Sequence, residues 1–160
     1  MNESVKIYNE KLGELSYMKG PKTIHCWAGI IDGCEDGFNI ILNSPDVGLS
    51  DIEFISSITR NWKSYIEKAT DFIRTKLGAH PEILGLDKGK ASVYLSTNNI
   101  PIDCPRFVFY DRREWTIIFA ECSFPIGEPY GIGVNFDSEQ PIAIEDYSEA
   151  EIIEEEIQEA

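Results

Sequence analysis

The residues best suited to chemistry are four cysteines, two histidines and a cluster of acids in one turn-rich stretch. Cys26, Cys34, Cys104 and Cys122 form no C-x-x-C pair, and only His25 and His80 are present to supplement them. The spacing of a structural zinc site is therefore missing, and no metal is expected. His25 precedes Cys26, but adjacent residues of a strand point to opposite faces, whereas a thiol and its base must converge. His80 is left as the histidine that folding could bring to a cysteine. Asp32, Glu35 and Asp36 stand in "DGCEDG", where a pair of carboxylates could trade protons or hold a cation. Their D-x-x-E-D spacing lacks the regular ligand alternation of a calcium loop, so they read as solvated turn residues.

Two glycine-rich stretches resemble phosphate loops only superficially. In "GLDKGKAS" three residues separate Gly85 from Gly89, and Ala91 follows Lys90 where a metal-binding hydroxyl is required. The stretch also reads as leading into a strand rather than a helix. "GEPYGIG", Gly127 to Gly133, lacks the dinucleotide spacing and precedes a strand. No cofactor is expected. Trp27, Trp62 and Trp115 suit packing better than base stacking.

The elements that must position these groups follow from periodicity. "VKIYN", "ELSYM", "TIHCWAGII" and "FNIILNS" read as strands, the last two joined by a loop of about five residues. In the third, Ile24, Cys26, Ala28 and Ile30 share one face and His25, Trp27 and Ile31 the other, which predicts a strand covered on both sides. Ser50 and Glu53 form a capping box. Ile52, Ile55, Ile58, Trp62, Ile66, Ala69, Phe72, Ile73 and Leu77 then recur at helical steps, predicting one long amphipathic helix ending near Gly78. "KASVYLST" alternates like a strand, "RFVFYDRREWTIIFAECSF" reads as a hairpin turning at Asp111–Arg113, and "YGIGVNF" and "PIAIEDY" complete a sheet. Consecutive strands favour antiparallel neighbours. The fold class is α+β: a mostly antiparallel, twisted sheet with the long helix packed across one face. Residues 1–147 read as one domain, and 148–160 as an acidic tail or short helix, capped by Ser148 and Glu151 with Glu149 near its positive end.

Charge narrows the function classes. The chain carries 28 acids and 14 bases, a net −14. Eight of the acids fall in "EDYSEAEIIEEEIQEA", leaving 20 against 14 bases in residues 1–144. Such a balance repels phosphate backbones and attracts basic proteins, so no nucleic acid is expected as a partner. "MNESVKIYNE" lacks a secretory pattern and no apolar run is long enough to span a bilayer. A cytoplasmic monomer with reduced thiols and no membrane association is expected.

The early "WAGII" strand, the helix containing "ITRNWKSYIEKA", the late "EWTIIF" and "GIGVNF" strands and the charged end together resemble a family of small bacterial proteins. These are the immunity proteins of polymorphic or contact-dependent growth-inhibition toxin systems. The resemblance implies a non-enzymatic protein that binds its cognate toxin domain, often a basic nuclease, and blocks the active site. It carries no binding residues over to this chain. The acids themselves nominate Asp32, Glu35, Asp36, Glu145, Asp146 and Glu149 for partner contact, with Tyr130 or Tyr147 as aromatic anchors. The competing class is a small cytoplasmic enzyme or ligand-binding protein with its site on the concave sheet face, using His25 with a carboxylate.

Overall fold

Alternation in the first forty-odd residues produces two hairpins: β1 (Val5–Asn9) with β2 (Gly13–Lys19), and β3 (His25–Ile31) with β4 (Cys34–Leu42). The computed structural model describes residues 5–46, 52–97, 102–110, 113–122 and 131–146. The first turn is closed by the Asn9 side chain, whose Oδ1 accepts from the amides of Lys11 at 2.8 Å and Leu12 at 3.0 Å. Tighter than expected, the second has Ile31 opposite Cys34, so only Asp32 and Gly33 form the turn. Glu35 and Asp36 consequently lie in β4 and not in a loop.

Two glycines let this hairpin close. Gly29 lies opposite Phe38, and a Cβ on Gly29 would fall 2.2 Å from the Phe38 ring. Gly37, at φ +60°, would place a Cβ 2.3 Å from the Gly29 carbonyl oxygen. The phenylalanine thus covers bare backbone, which only glycine permits.

The chain then forms α1 (Ile52–Arg60), α2 (Trp62–Ala79), a 3-10 turn (Pro81–Leu84) and α3 (Lys88–Thr97). The single long helix expected from the apolar stripe is therefore two. At the break, the Asn61 side-chain amide donates to the Ser57 carbonyl at 2.9 Å while its own carbonyl accepts from Ser64. An asparagine that bonds the backbone locally competes with helix continuation. Helix α2 also runs past Gly78, and His80 bonds back to the Lys76 carbonyl at 2.7 Å.

A second correction concerns "KASVYLST", which is helix α3 and not a strand. Asp87 caps it, Oδ1 accepting from the Lys90 amide at 2.8 Å. Of the alternating set only Ala91 is buried, while Val93 is 60% exposed. Ala91 and Tyr94, three residues apart, pack toward the core.

Four strands follow: β5 (Ile102–Phe109), β6 (Glu114–Cys122), β7 (Ile132–Asp137) and β8 (Gln140–Asp146). The eight strands of the described residues join one sheet in sequence order, confirming an α+β fold with a mostly antiparallel sheet. The exception is β4 with β5, which run parallel with Phe38 opposite Phe107. A parallel pair needs a long crossover, and the helical segment supplies it.

The core lies between the sheet and these helices. Trp27, Phe38, Phe107, Phe109, Trp115 and Phe136 fill it from the strands, and Ile58, Tyr65, Ile73 and Leu77 from the helices. The expectation for β3 is corrected here: Trp27 and Ile31 are buried, but Ala28 is exposed and Ile30 is 81% exposed. Only one face of that strand is covered, because the described helices occupy one side of the sheet.

Tyr65 is buried and donates to Glu139 Oε1 at 3.1 Å. Burial first, then that carboxylate, push its phenol up to about 12. An unfolded tyrosine ionises near 10, so the stabilisation is intact at neutral pH and is lost as pH rises from 10 toward 12. Urea unfolding at pH 9 and pH 11.5 should show a loss on the order of 2 kcal/mol that Tyr65→Phe removes. An identical loss in the variant would rule Tyr65 out as its source.

Candidate partner-binding surface

The face turned away from the helices is built by strand alternation. Ser16, Ala28, Asn39, Val108, Thr116, Asn135 and Ala143 form one register row across it from β2 to β8. Thr116 is buried there and its hydroxyl donates to the Val134 carbonyl at 3.0 Å.

Beside this row, where β5 to β8 approach the β5–β6 hairpin, lies a cleft of about 310 Å³. The hairpin is held by the Tyr110 amide bonding the Glu114 carbonyl at 3.1 Å. Glu114 stands opposite Asp137 in the β6–β7 register. Glu145 reaches the cleft from β8, where its Oε2 accepts from Asn135 Nδ2 at 3.2 Å. The sheet itself forms its floor at Trp115 and Phe136, whose side chains pack in the core on the opposite face. Two exposed groups complete the rim, Tyr110 and Ile142. Ile142 is placed by a bulge: Asn135 pairs with Ala143 and Phe136 with Pro141, so Ile142 is the extra residue and is 59% exposed. Bulges commonly re-aim a side chain in this way.

The electrostatics of the cleft are one-signed. Glu114, Asp137 and Glu145 line it, and among the described residues no lysine, arginine or histidine does. Glu114 and Asp137 place like charges directly opposite each other across the strands, a pairing that is unfavourable in general. Burial and then the Glu145 carboxylate push the Tyr110 phenol above its ordinary range. The phenol accordingly stays neutral and able to donate at physiological pH.

The acids picked from the sequence are not gathered in one place. Glu145 lines the cleft, and Asp146 ends β8. Asp32, at the β3–β4 turn, lines a different cavity of about 370 Å³ together with Ile30, Lys11, Arg60 and Trp62. The two cavities share no lining residue. Asp36 is exposed on β4, and Glu35 precedes it in the same strand. Tyr130, Tyr147 and Glu149 lie outside the described residues, as does the acidic segment 148–160.

Tyr110, Glu114, Asn135, Asp137 and Ile142 were not among the residues nominated by sequence. A weak signal existed in the acids at both hairpin ends, Glu114 in "RREW" and Asp137 in "FDSE". Their convergence depends on the β6–β7 register, which no pattern local to either strand specifies.

The described thiols do not show an activated nucleophile. Burial pushes the Cys26 thiol up, only partly offset by the Asn39 amide, and burial likewise raises Cys34. An activated thiolate requires the opposite shift. His25 is engaged on the core side, its Nδ1 2.6 Å from the Tyr17 hydroxyl, and His80 lies 3.4 Å from Glu82. "GLDKGKAS" does open a helix, contrary to expectation, but its glycine and hydroxyl spacing is still wrong for a phosphate loop. Among the described residues no group of three His, Cys, Asp or Glu is placed to hold a metal ion, and no helix is long and apolar enough to cross a membrane.

No family model matches this chain, and no curated protein or solved structure matches it significantly.

Proposed function

We propose that this protein is an immunity protein, which binds a cognate bacterial toxin domain of basic, nuclease-like character and blocks its active site. The observation that carries the reading is the cleft of β5 to β8: three carboxylates with, among the described residues, no lining cation, beside an exposed tyrosine and a bulge-exposed isoleucine. Aromatic and aliphatic anchors rimmed by complementary charge are the composition of a protein-binding hot spot. The acid-rich segment 148–160 adds long-range attraction that raises the encounter rate with a basic partner. In this reading the protein acts in the cytoplasm as a monomer, and the toxin's cleft is closed to substrate by steric cover.

The test is co-purification with the C-terminal domain encoded by the upstream neighbouring reading frame, paired with survival of cells that express that domain. Binding at low salt together with protection is expected. A domain that kills cells equally with and without this protein, and does not co-purify with it, would refute the reading.

A further inference from the structure

The geometry points to the β5–β8 cleft as a socket for an arginine side chain of the partner. The inference takes the partner's identity from the proposed immunity function and the chemistry from the cleft alone. Three features select the ligand. First, the lining charge among the described residues is wholly negative, so the complementary group is a cation.

Second, the carboxylates do not converge as they would on a compact ion. Glu114 and Asp137 face each other across β6 and β7, while Glu145 comes from β8 and is tied to Asn135. Among the described residues no such trio could hold a metal. A guanidinium, with five donors spread around a plane, can serve acceptors so dispersed; an ammonium is a point charge.

Third, the walls are apolar and partly aromatic. The Tyr110 ring, with its phenol held neutral, offers a face for a planar cation. Ile142, turned outward by its bulge, covers the aliphatic stem. Arginine is also more weakly hydrated than lysine and gives up less on entering such a site. A docked guanidinium would set an opposite charge beside both Glu114 and Asp137, which the register places face to face.

The test uses the full chain, labelled with ¹⁵N, titrated with N-acetyl-arginine amide and separately with N-acetyl-lysine amide. Saturable shifts are expected at the amides of Tyr110, Glu114, Asn135 and Ile142, with the arginine probe binding about threefold more tightly or better. Glu114→Gln combined with Asp137→Asn should abolish the response to both probes. Tyr110→Leu should erase the preference between them, with unchanged far-UV circular dichroism confirming that each variant folds. Equal affinities, shifts confined to other residues, or no response to either probe would overturn the socket. If the toxin domain fails to bind while the arginine probe maps to the cleft, the immunity reading falls and the socket stands. Toxin binding undiminished by the paired substitution, without a probe response, removes the socket and leaves the immunity reading in place.

Discussion

Replacing Glu114 and Glu145 by glutamine and Asp137 by asparagine should slow association with the toxin domain about tenfold at low salt. The change removes three negative charges from a net of −14, yet its effect should exceed that of three acids removed elsewhere. All three line one cleft in which no lysine, arginine or histidine stands among the described residues, and field lines there concentrate on an approaching cation. The salt dependence of the association rate should flatten with it, and wild-type and variant rates should approach each other near molar salt, where the screening length is about 3 Å. Asp32→Asn, Glu35→Gln and Asp36→Asn together are the matched comparison. Asp32 shares its cavity with Lys11 and Arg60, so its field is already partly cancelled, and a change of less than about threefold is expected. Stopped-flow measurement across a salt series reads both. A larger effect from Asp32, Glu35 and Asp36 would move the interface to the β3–β4 end of the sheet.

Trp115→Ala should be the most destabilising of the single substitutions considered, by about 4 kcal/mol. The indole is 1% exposed and stacks on Phe136 with ring centroids 4.2 Å apart. Phe107 and Phe109 stack on it at 5.9 and 5.4 Å, and Tyr65 meets it edge-on at 5.4 Å. Its Nε1 also donates to the Ser138 carbonyl at 2.7 Å, which ties the β7–β8 turn to the core. Alanine leaves a large void and an unpaired acceptor, and the two costs add. A domain of ordinary stability, roughly 5–15 kcal/mol, would retain little margin. Trp115→Phe keeps most of the stacking and should cost about half as much. Urea denaturation followed by circular dichroism gives the comparison; a loss under about 2 kcal/mol for alanine would mean that the aromatic stack is not the centre of the core.

Much of the secondary structure was legible because its signals are local. Asp32-Gly33, the alternation of β2 and β4 and the acid-bounded hairpin of β5 and β6 require only neighbouring residues to interpret. Where two local readings compete, sequence alone chose wrongly. Ala91, Val93 and Leu95 alternate as in a strand, but Asp87 caps a helix there and two of the three side chains are exposed. Asn61 falls within the span of the helical stripe, yet its side chain can bond the preceding turn, and in the folded chain it does.

What the sequence by itself determined is the α+β class, most strand positions and the acidic character, since each depends on residue type, short-range spacing or total charge. Tertiary structure alone decided the parallel joining of β4 to β5, the burial of only one face of β3 and the meeting of Glu114, Asp137 and Glu145. The physical reason is register. Cross-strand partners far apart in the chain are selected by how the aromatic core packs, and a single bulged residue, Ile142, is enough to change which side chains face the solvent.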